Sequence, residues 1–319
     1  MNYTEEGYAA MLLTMALSPD REEYAHPLSI QEFRAIEASV RPTRYRRVGR
    51  LISADVSGLM IELHLSEAEA LRLYTLLHRT MQLTYTLEAF EREGLHVVTC
   101  YDGDYPAKLT KKLGEQAPAF FYRCGDRTLL DLPAVAIVGI SGVRTDDDMR
   151  NTVKELVKQA VQHGYAVITG GEPGVSRVAA DAVETCGGVI VDVLGGDMQR
   201  YVHTDGIAER IATKRGLALS LAHPKAMFSV ANAAERNKLL FALADAAFIF
   251  NTDGRRGEQI ILQNRFCRNV YVWEPFPANR PLFNHGAIPF GPGSRLDFDD
   301  MIIHWIAGNA EQLSMFDLL

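Results

Sequence analysis

The sequence predicts an α/β protein built on a doubly wound, mostly parallel sheet. Short apolar runs rich in β-branched residues recur along the chain, and helical patterns separate most of them. The runs are AVAIVG (134–139), AVITG (166–170), VIVDVLG (189–195), LALSLA (217–222), AAFIFN (246–251) and NVYVW (269–273). Strands that are apolar on both faces are typical of a parallel sheet covered by helices on both sides. Ligands of such sheets bind beyond the carboxyl ends of the strands.

Composition narrows the class of protein further. The chain has 319 residues, of which 47% are hydrophobic and 23% are charged, so it can bury a full core and has room for two domains. Its net charge of -7 argues against a uniformly basic coat for nucleic acid. Any contact with DNA must therefore come from a local basic cluster.

Cysteine usage and the N-terminus predict a cytoplasmic protein without a metal. The four cysteines show no CxxC spacing, which favours reduced core thiols over a zinc site. The chain opens with acidic residues instead of the positive charge of a signal peptide. No apolar run approaches the roughly 18 residues that a membrane span needs, so we expect no membrane partner.

Residues 1–85 are predicted to form a small helical domain. Ser66 and Glu69 are placed to form a capping box at the start of a helix over 65–83. The residues predicted for one face of that helix are Ala68, Leu71, Leu73, Leu76 and Leu77. Before it, segment 50–59 is predicted to turn between two helices with Gly58 as the hinge. Such a pair is either a packing domain or a helix-hairpin-helix element that binds a DNA backbone.

The most basic stretch of the chain lies in this N-terminal region. Five arginines occur within ten residues: Arg41, Arg44, Arg46, Arg47 and Arg50. Such a run is usually a solvated face. In an acidic chain it is also a candidate strip for contacting phosphates.

The pattern changes after residue 85. Residues 86–133 are predicted to form a helix, a turn at Gly94 and strands over 96–100 and 117–125. We therefore expect a domain boundary near residue 85. The main α/β domain would extend over residues 86–300, and residues 301–319 would form a C-terminal tail.

The loop GGEPG (170–174) is the first candidate ligand-binding element. It lacks the GxGxxG dinucleotide fingerprint, which weakens a nicotinamide or flavin interpretation. Glycines nevertheless let a loop approach a phosphate closely, and a helix predicted to begin near Val175 would direct free N–H groups at it. The alternative is a plain tight turn.

Two cationic segments follow further along the chain. Arg236, Asn237 and Lys238 are predicted to lie at the start of an apolar helix, where their donors and the helix N-terminus could converge on one anion. The alternative is simple solvation of the helix end. Arg255 and Arg256 add cations in the glycine loop 252–261. No Ser/His/Asp set, metal cluster or catalytic carboxylate pair stands out, so we expect neither catalysis nor a cofactor.

The order of these blocks resembles the DNA-processing protein A family (DprA, also called Smf). The resemblance rests on VVTCYDGDYPAKL, APAFFYRCGD, VAIVG, VITGGEPGVSRVAADAV, GGVIVDVLGGDMQRYV, ERNKLLFALADAAFIF and DGRRGEQIILQNRFCRNVYVW, over about residues 86–290. It implies an extended Rossmann-like domain that binds single-stranded DNA as a homodimer and helps to load RecA during natural transformation. The N-terminal helices resemble the family's small sterile-alpha-motif-like domain.

The resemblance also implies a set of binding residues. Residues matched to the family's motifs are Gly139, Gly170, Gly174, Arg236, Asn237, Lys238 and Gly257. Residues that extend this phosphate-binding set are Arg144, Gly171, Arg177, Arg255 and Arg256.

Several positions depart from the family pattern. Pro173 and Ser176 stand where an arginine and an aspartate are usual, and Glu258 replaces a serine. The frequent C-terminal winged helix is missing. Additional carboxylates, Glu172 and residues 146–148, would repel phosphate. These departures support an alternative function, a sensor or hydrolase of a free nucleotide or nucleotide-derived signal that uses the same pocket.

The C-terminal tail carries a separate motif. QLSMF (312–316) resembles the short peptide by which bacterial replication and repair proteins bind the β sliding clamp. Leu313, Met315 and Phe316 would be the apolar anchors and Gln312 a hydrogen-bonding group, which suits a peptide-in-groove mode. The alternatives are a tail that folds back on its own domain and a clamp-tethered scaffold that binds no ligand.

Overall fold

The structure is a computed structural model of the chain, and it describes residues 3–18, 25–142, 145–253, 262–263, 265–298 and 302–304. The helices of this described part are α1 (Glu5–Thr14), α2 (Ile30–Val40), α3 (Val56–Leu63), α4 (Glu67–Leu77), α5 (Thr80–Arg92), α6 (Ala107–Leu113), α7 (Asp147–Gln162), α8 (Val175–Cys186), α9 (Met198–Val202), α10 (Asp205–Ala212), α11 (Val230–Leu243) and α12 (Arg280–Phe283). Short 3-10 helices lie at Val48–Ser53, Gly114–Gln116, Arg127–Leu130 and Pro277–Asn279.

The strands alternate with these helices from the middle of the chain onward. They are β1 (His96–Thr99), β2 (Phe120–Gly125), β3 (Ala134–Gly139), β4 (Ala166–Thr169), β5 (Ile190–Leu194), β6 (Gly216–Ser220), β7 (Ala246–Asn251), β8 (Asn269–Trp273), β9 (Ile288–Phe290), β10 (Arg295–Asp297) and β11 (Ile302–His304). Each of the six apolar runs that predicted the sheet is a strand, within one or two residues at either end.

The chain divides into two compact units. The first comprises Met1–Leu132 and Ile190–Leu243, and the second comprises Pro133–Val189 and Ala244–Leu319. In the first unit the strands are ordered β1-β2-β6-β5; β5 and β6 run parallel, whereas β2 is antiparallel to both β1 and β6. In the second unit the order is β4-β3-β7-β8-β9, with all neighbours parallel. The predicted α/β class with a mostly parallel sheet is confirmed; the boundary near residue 85 stays a prediction.

Helix α1 is central to the packing of the first unit. Ala9, Ala10 and Leu13 are fully buried against α2, α3 and α4, while Met11 and Leu12 are fully buried in a second cluster with residues of α5 and the strands. A helix that is apolar all round belongs inside a domain. The carbonyl oxygens at its C-terminal end accept hydrogen bonds from a residue that lies much later in the sequence.

Arg79 provides that cap. Its guanidinium is buried and donates to the carbonyl oxygens of Leu12 and Met15 at 2.7 and 2.6 Å. Cations at a helix C-terminus are stabilising, because the free carbonyls there carry partial negative charge.

The helix predicted over 65–83 is two helices, α4 and α5, with Arg79 between them. The capping box of Ser66 and Glu69 is confirmed at the start of α4. The predicted apolar face was only partly right: Ala70, Leu73, Leu76 and Leu77 are buried, but Leu71 is 54% exposed. The buried residues follow the helical spacing 70, 73, 76 and 77, whereas Ala68 and Leu71 lie off that face and are exposed.

The prediction that Gly58 is a hinge was wrong. Gly58 lies in the first turn of α3, and its N–H donates to the Asp55 side chain at 2.8 Å. A Cβ there would lie 2.5 Å from the hydroxyl oxygen of Tyr45, so a larger residue would require the Tyr45 side chain to shift. The bend before α3 is a 3-10 helix over Val48–Ser53.

A capping box with an added cation begins α2. The Ser29 backbone N–H donates to the Glu32 carboxylate at 2.7 Å, and Arg72 donates to the same carboxylate at 2.7 Å. The Arg72 hydrogen bond, followed by the Ser29 bond, lowers the pKa of Glu32 to about 2. This group joins α2 to α4 at the surface.

Candidate functional site

The glycine loop of the second unit connects β4 to α8. Gly171 and Gly174 adopt positive φ of 73° and 105°, which non-glycine residues rarely adopt. The Gly171 N–H donates to the Thr169 hydroxyl at 3.0 Å, which fixes the turn after the strand. Helix α8 begins at Val175, as predicted, with Gly174 as its N-cap. Gly174 makes no side-chain hydrogen bond to the first turn of α8, and uncapped N–H groups at a helix N-terminus are a favourable position for an anion.

Gly139 brings the end of β3 against the start of α8. A Cβ on Gly139 would lie 2.8 Å from Cγ2 of Val175 and 2.8 Å from Oδ1 of Asn251. That Asn251 oxygen accepts the N–H of Ile140 at 2.7 Å, so it ties the end of β7 to the end of β3. A side chain at position 139 would therefore disturb the packing of α8 and Asn251 against the end of β3.

Asn251 is a residue of this strand-end cluster that sequence reasoning missed. Only 1% of its surface is exposed, yet it ends an otherwise apolar strand. The sequence does contain a signal for it, because an asparagine directly follows the apolar run AAFIF. A buried amide at a strand end organises backbone groups of neighbouring strands.

The acidic residues after β3 have a structural role. Asp146 caps α7, accepting the N–H of Met149 at 2.8 Å, and Asp147 and Asp148 lie in the first turn of that helix. Carboxylates are stabilising at this end of a helix. On the neighbouring helix α8, Arg177 is exposed and paired with Asp181 at 2.9 Å. An exposed i,i+4 pair of this kind contributes little to stability, so it leaves the guanidinium available to a stronger anion.

The prediction that Arg236, Asn237 and Lys238 begin a helix was wrong. Helix α11 begins at Val230, so the three residues lie in its interior. The Ser229 side chain accepts the N–H of Asn232 at 3.1 Å at the true start. The small residues after Ser229 have no apolar periodicity, and this concealed the first turns of α11 in the sequence.

Arg236 is buried, with only 6% of its surface exposed. Its Nη1 donates to the carbonyl oxygen of Val193 in β5 at 2.8 Å, and its Nε donates to Oδ1 of Asn237 at 2.8 Å. It therefore anchors α11 to the end of β5. Lys238, by contrast, pairs with Glu235 at 2.9 Å near the surface.

An exposed apolar segment precedes α11 and was also missed. Met227, Phe228 and Val230 are 79%, 53% and 71% exposed. This segment, residues 225–230, lies at the carboxyl ends of the parallel strands β5 and β6 and begins with Lys225. The sequence could not show that these side chains are exposed, because exposure depends on tertiary structure. Its weak indication was an aromatic residue close to a lysine.

Two glycines after β5 hold this segment in place. A Cβ on Gly195 would lie 3.1 Å from the Phe228 ring, and one on Gly196 would lie 2.6 Å from the Phe228 backbone nitrogen. The N–H of Asp197 donates to the carbonyl oxygen of Ala226 at 2.6 Å. The Phe228 ring thus lies close to the Gly195 backbone, while 53% of the residue's surface remains exposed.

The sequence-predicted residues fall into three groups. Gly139, Gly170, Gly171, Gly174 and Arg177 lie in the second unit, where the structure brings the glycines to the ends of β3 and β4. Residues 236–238 lie in the first unit. Residues outside the described part of the chain are Arg144, Arg255, Arg256, Gly257, Glu258, Gln312, Leu313, Met315 and Phe316.

The described residues contain neither a metal-binding cluster nor a membrane-spanning helix. No group of three or more His, Cys, Asp or Glu side chains there is arranged to hold a metal ion. No helix in the same residues combines the length and apolar character needed to cross a membrane.

A mostly parallel sheet with helices between its strands and glycine loops at the strand ends defines a protein with a Rossmann-like α/β fold. The chain belongs to the DNA recombination-mediator protein A family, whose model matches residues 96–280. The family expected from the order of sequence blocks is therefore confirmed. No curated protein matches the chain.

Two solved structures share the fold. The DNA processing protein A of Streptococcus pneumoniae is similar with a TM-score of 0.63 and 16% identity, over 92% of this chain and 96% of that one. The DNA processing protein A of Helicobacter pylori, described with a single-stranded DNA binding mode, is similar with a TM-score of 0.50 and 21% identity, over 62% of this chain and 92% of that one.

Proposed function

We propose that the chain is a recombination mediator that binds single-stranded DNA without catalysing a reaction. Membership of the recombination-mediator family supports the class, and the Helicobacter pylori relative is described as binding single-stranded DNA. The observation that carries the proposal is the exposed ring of Phe228, supported by the Gly195–Gly196 backbone and flanked by Lys225.

Single-stranded DNA is bound by cations that follow its backbone and aromatic rings on which its bases stack. A folded domain normally buries a phenylalanine, and a contiguous exposed apolar segment indicates an interaction site. Phe228 exposes 53% of its surface at the carboxyl ends of β5 and β6, where ligands of α/β sheets bind. Lys225, three residues earlier, offers charge for a neighbouring phosphate.

The glycine loop before α8 is a proposed phosphate site of the second unit. Its donors would be N–H groups of residues 174–176, and Gly170 and Gly171 keep side chains out of the way. Arg177 would supply charge, as would Arg144, Arg255, Arg256 and the loop glycine Gly257 from segments outside the described residues. Lys238 remains a candidate contact, whereas the burial of Arg236 gives it a supporting role.

Phe228→Ala should weaken binding of a 20-nucleotide oligonucleotide by about tenfold to a hundredfold, because one stacked base contributes about 1–3 kcal/mol. Fluorescence anisotropy at fixed salt measures the effect. Phe228→Tyr should retain most of the affinity, since its ring can stack as well. The melting temperature should stay unchanged because more than half of the side chain is exposed.

Val230→Ala is the matched control, since it removes an exposed apolar side chain of the same segment that cannot stack. Equal losses for Val230→Ala and Phe228→Ala would contradict base stacking. Competition with mononucleotides tests the alternative function. Saturable binding of a mononucleotide with no affinity for the oligonucleotide would assign the site to a nucleotide sensor or hydrolase.

A homodimer, RecA and the β sliding clamp are the proposed macromolecular partners. The first two follow from the family resemblance, and the third from QLSMF at 312–316.

Leu313→Ala/Phe316→Ala should abolish association of the full chain with purified β sliding clamp, because it removes two of the three apolar anchors of the peptide. Surface plasmon resonance with immobilised clamp measures it. Ser314→Ala, a change within the same peptide that spares the anchors, should bind like the unaltered chain. Clamp association that survives the double substitution would contradict the assignment of the tail.

A further inference from the structure

A cluster of arginines borders a shallow cleft in the N-terminal part of the first unit. We call Arg44, Arg46, Arg47 and Arg50 the arginine strip. The cleft has a volume of about 690 Å³ and is lined by the strip together with Glu5, Glu6, Tyr45 and Ser53. The strip pairs with three carboxylates, those of Glu5, Glu6 and Glu62, so its four cations leave the cleft locally positive in a chain whose net charge is -7.

The ion pairs of the strip are loose. Arg44, Arg47 and Arg50 keep 62%, 77% and 69% of their side chains exposed. Their closest carboxylate oxygens lie at 3.4, 3.7 and 3.8 Å. Exposed pairs with such separations contribute at most about 1 kcal/mol, so a phosphate can displace the carboxylates.

The two glutamates of the cleft have a separate reason to be there. Glu5 and Glu6 form the first turn of α1, where negative charge complements the helix dipole. Gly49 brings the strip to them, because its missing Cβ would lie 2.8 Å from the backbone carbon of Glu5. The arginines are therefore next to carboxylates that stabilise α1.

Arg46 is held in an unusual conformation. Its φ is 60°, in the left-handed region that a non-glycine residue adopts at a cost. No carboxylate in the described residues lies within ion-pairing distance of its guanidinium. Lys214 adopts the same region with φ 58°, so this conformation alone does not indicate a function.

The strip lacks a free aromatic surface. The Arg44 guanidinium lies 5.0 Å above the ring of Tyr45 and donates to its hydroxyl oxygen at 3.0 Å. Tyr45 also packs against the core of the helical region. Sites for single strands combine cations with open aromatic rings, whereas a duplex presents phosphates with its bases stacked inside.

We propose that the arginine strip binds the phosphate backbone of duplex DNA, independently of sequence. It is a second nucleic-acid site, made of residues different from those proposed for single-stranded DNA. Contacts from several arginines to phosphates would explain the exposure of the strip and its loose pairing. The duplex would displace Glu5 and Glu6 from their arginines without disturbing α1.

The test compares the full chain with Arg46→Gly/Arg47→Ala/Arg50→Ala on a 20-base-pair duplex and a 20-nucleotide single strand. We expect duplex affinity to fall by about tenfold or more and the log–log salt slope to become shallower by about 0.9 for each phosphate that the variant no longer neutralises. Single-strand affinity should be unchanged. The melting temperature should not fall, since glycine adopts the conformation of Arg46 freely.

Arg92→Ala/Arg127→Ala/Lys214→Gly is the matched control in the same unit. It removes three surface charges and converts Lys214, whose φ is 58°, to glycine. Equal loss of duplex binding in this control would overturn the proposal in favour of a general charge effect. Glu5→Gln/Glu6→Gln should tighten duplex binding, and weaker binding would contradict the displacement of those carboxylates.

Inorganic tripolyphosphate separates the two sources of phosphate. Binding of tripolyphosphate by the strip with no measurable duplex affinity would overturn the assignment to DNA. A failure of this proposal can be told apart from a failure of the proposed function. Phe228→Ala should lower only the affinity for the single strand, and the strip variant should lower only the affinity for the duplex.

Discussion

Arg236→Ala should lower the free energy of unfolding by about 3 kcal/mol. This loss is larger than the one expected when an exposed arginine is replaced by alanine. The substitution leaves the carbonyl oxygen of Val193 without its donor at the end of β5 and opens space under α11. Both effects are destabilising because a buried acceptor cannot recover its bond from water. Urea denaturation followed by circular dichroism measures the change.

Lys238→Ala is the comparison, since it removes a cation two residues away that pairs near the surface with Glu235. Its free energy of unfolding should change by less than about 0.5 kcal/mol. An Arg236→Ala protein with unchanged stability and lost affinity for single-stranded DNA would refute the supporting role and return Arg236 to the phosphate-contacting set.

The structure gives Arg236, Asn237 and Lys238 a different role from the one predicted from the sequence. From the sequence, their cations were predicted to meet an anion at a helix N-terminus. In the structure, Arg236 is directed at a strand carbonyl from the interior of α11, and Asn237 accepts from it. Arg236 and Asn237 therefore hold α11 against β5. Because α11 directly follows the Phe228 segment, these residues position the proposed stacking surface indirectly.

The strands of the sheet were predictable because each carries its own signal. Runs such as AVAIVG and AAFIFN are short, apolar and bounded by polar or glycine residues, and β3 and β7 have the predicted bounds. The pairing of β2 was beyond this reasoning. Its antiparallel contact with β6 joins Tyr122 to Ser220, and local patterns hold no information about partners so far apart in the chain.

The candidate site was predictable only in part, for the same reason. Glycines at strand ends are visible in a sequence, so the loop before α8 and its glycines were found. The exposure of Phe228 and the burial of Arg236 are set by how α11 packs on the strands, and neither residue type reveals this. Phenylalanine is usually buried and arginine usually exposed, so here both departed from the ordinary expectation.

Substitution of Gly139 can distinguish, within the second unit, a residue needed for packing from a residue needed for ligand binding. A methyl group there would meet Cγ2 of Val175 and Oδ1 of Asn251, both at 2.8 Å. Gly139→Ala must therefore displace α8, Asn251 or both. We expect the free energy of unfolding to fall by about 3 kcal/mol, at the upper end of overpacking effects in a dense core.

The displacement should have a local signature. The Ile140 N–H donates to Asn251 at 2.7 Å, so its amide hydrogen should exchange faster in Gly139→Ala than in the unaltered protein. Gly206→Ala is the matched control: it adds the same methyl group in α10, where nothing lies within 4 Å. That variant should be as stable as the parent or more so, because alanine favours a helix over glycine.

A second substitution identifies which contact causes the loss. Val175→Ala removes the Cγ2 contact at 2.8 Å but keeps the Val175 Cβ, which the new methyl group would meet at 2.9 Å. The double variant Gly139→Ala/Val175→Ala should therefore recover only a small part of the stability that Gly139→Ala loses. Such coupling means that the glycine is needed to seat the first residue of α8 on β3, which aligns the N–H groups proposed to hold a phosphate. A Gly139→Ala protein that folds with parental stability, parental Ile140 exchange and reduced affinity for single-stranded DNA would show instead that the missing Cβ makes room for the ligand.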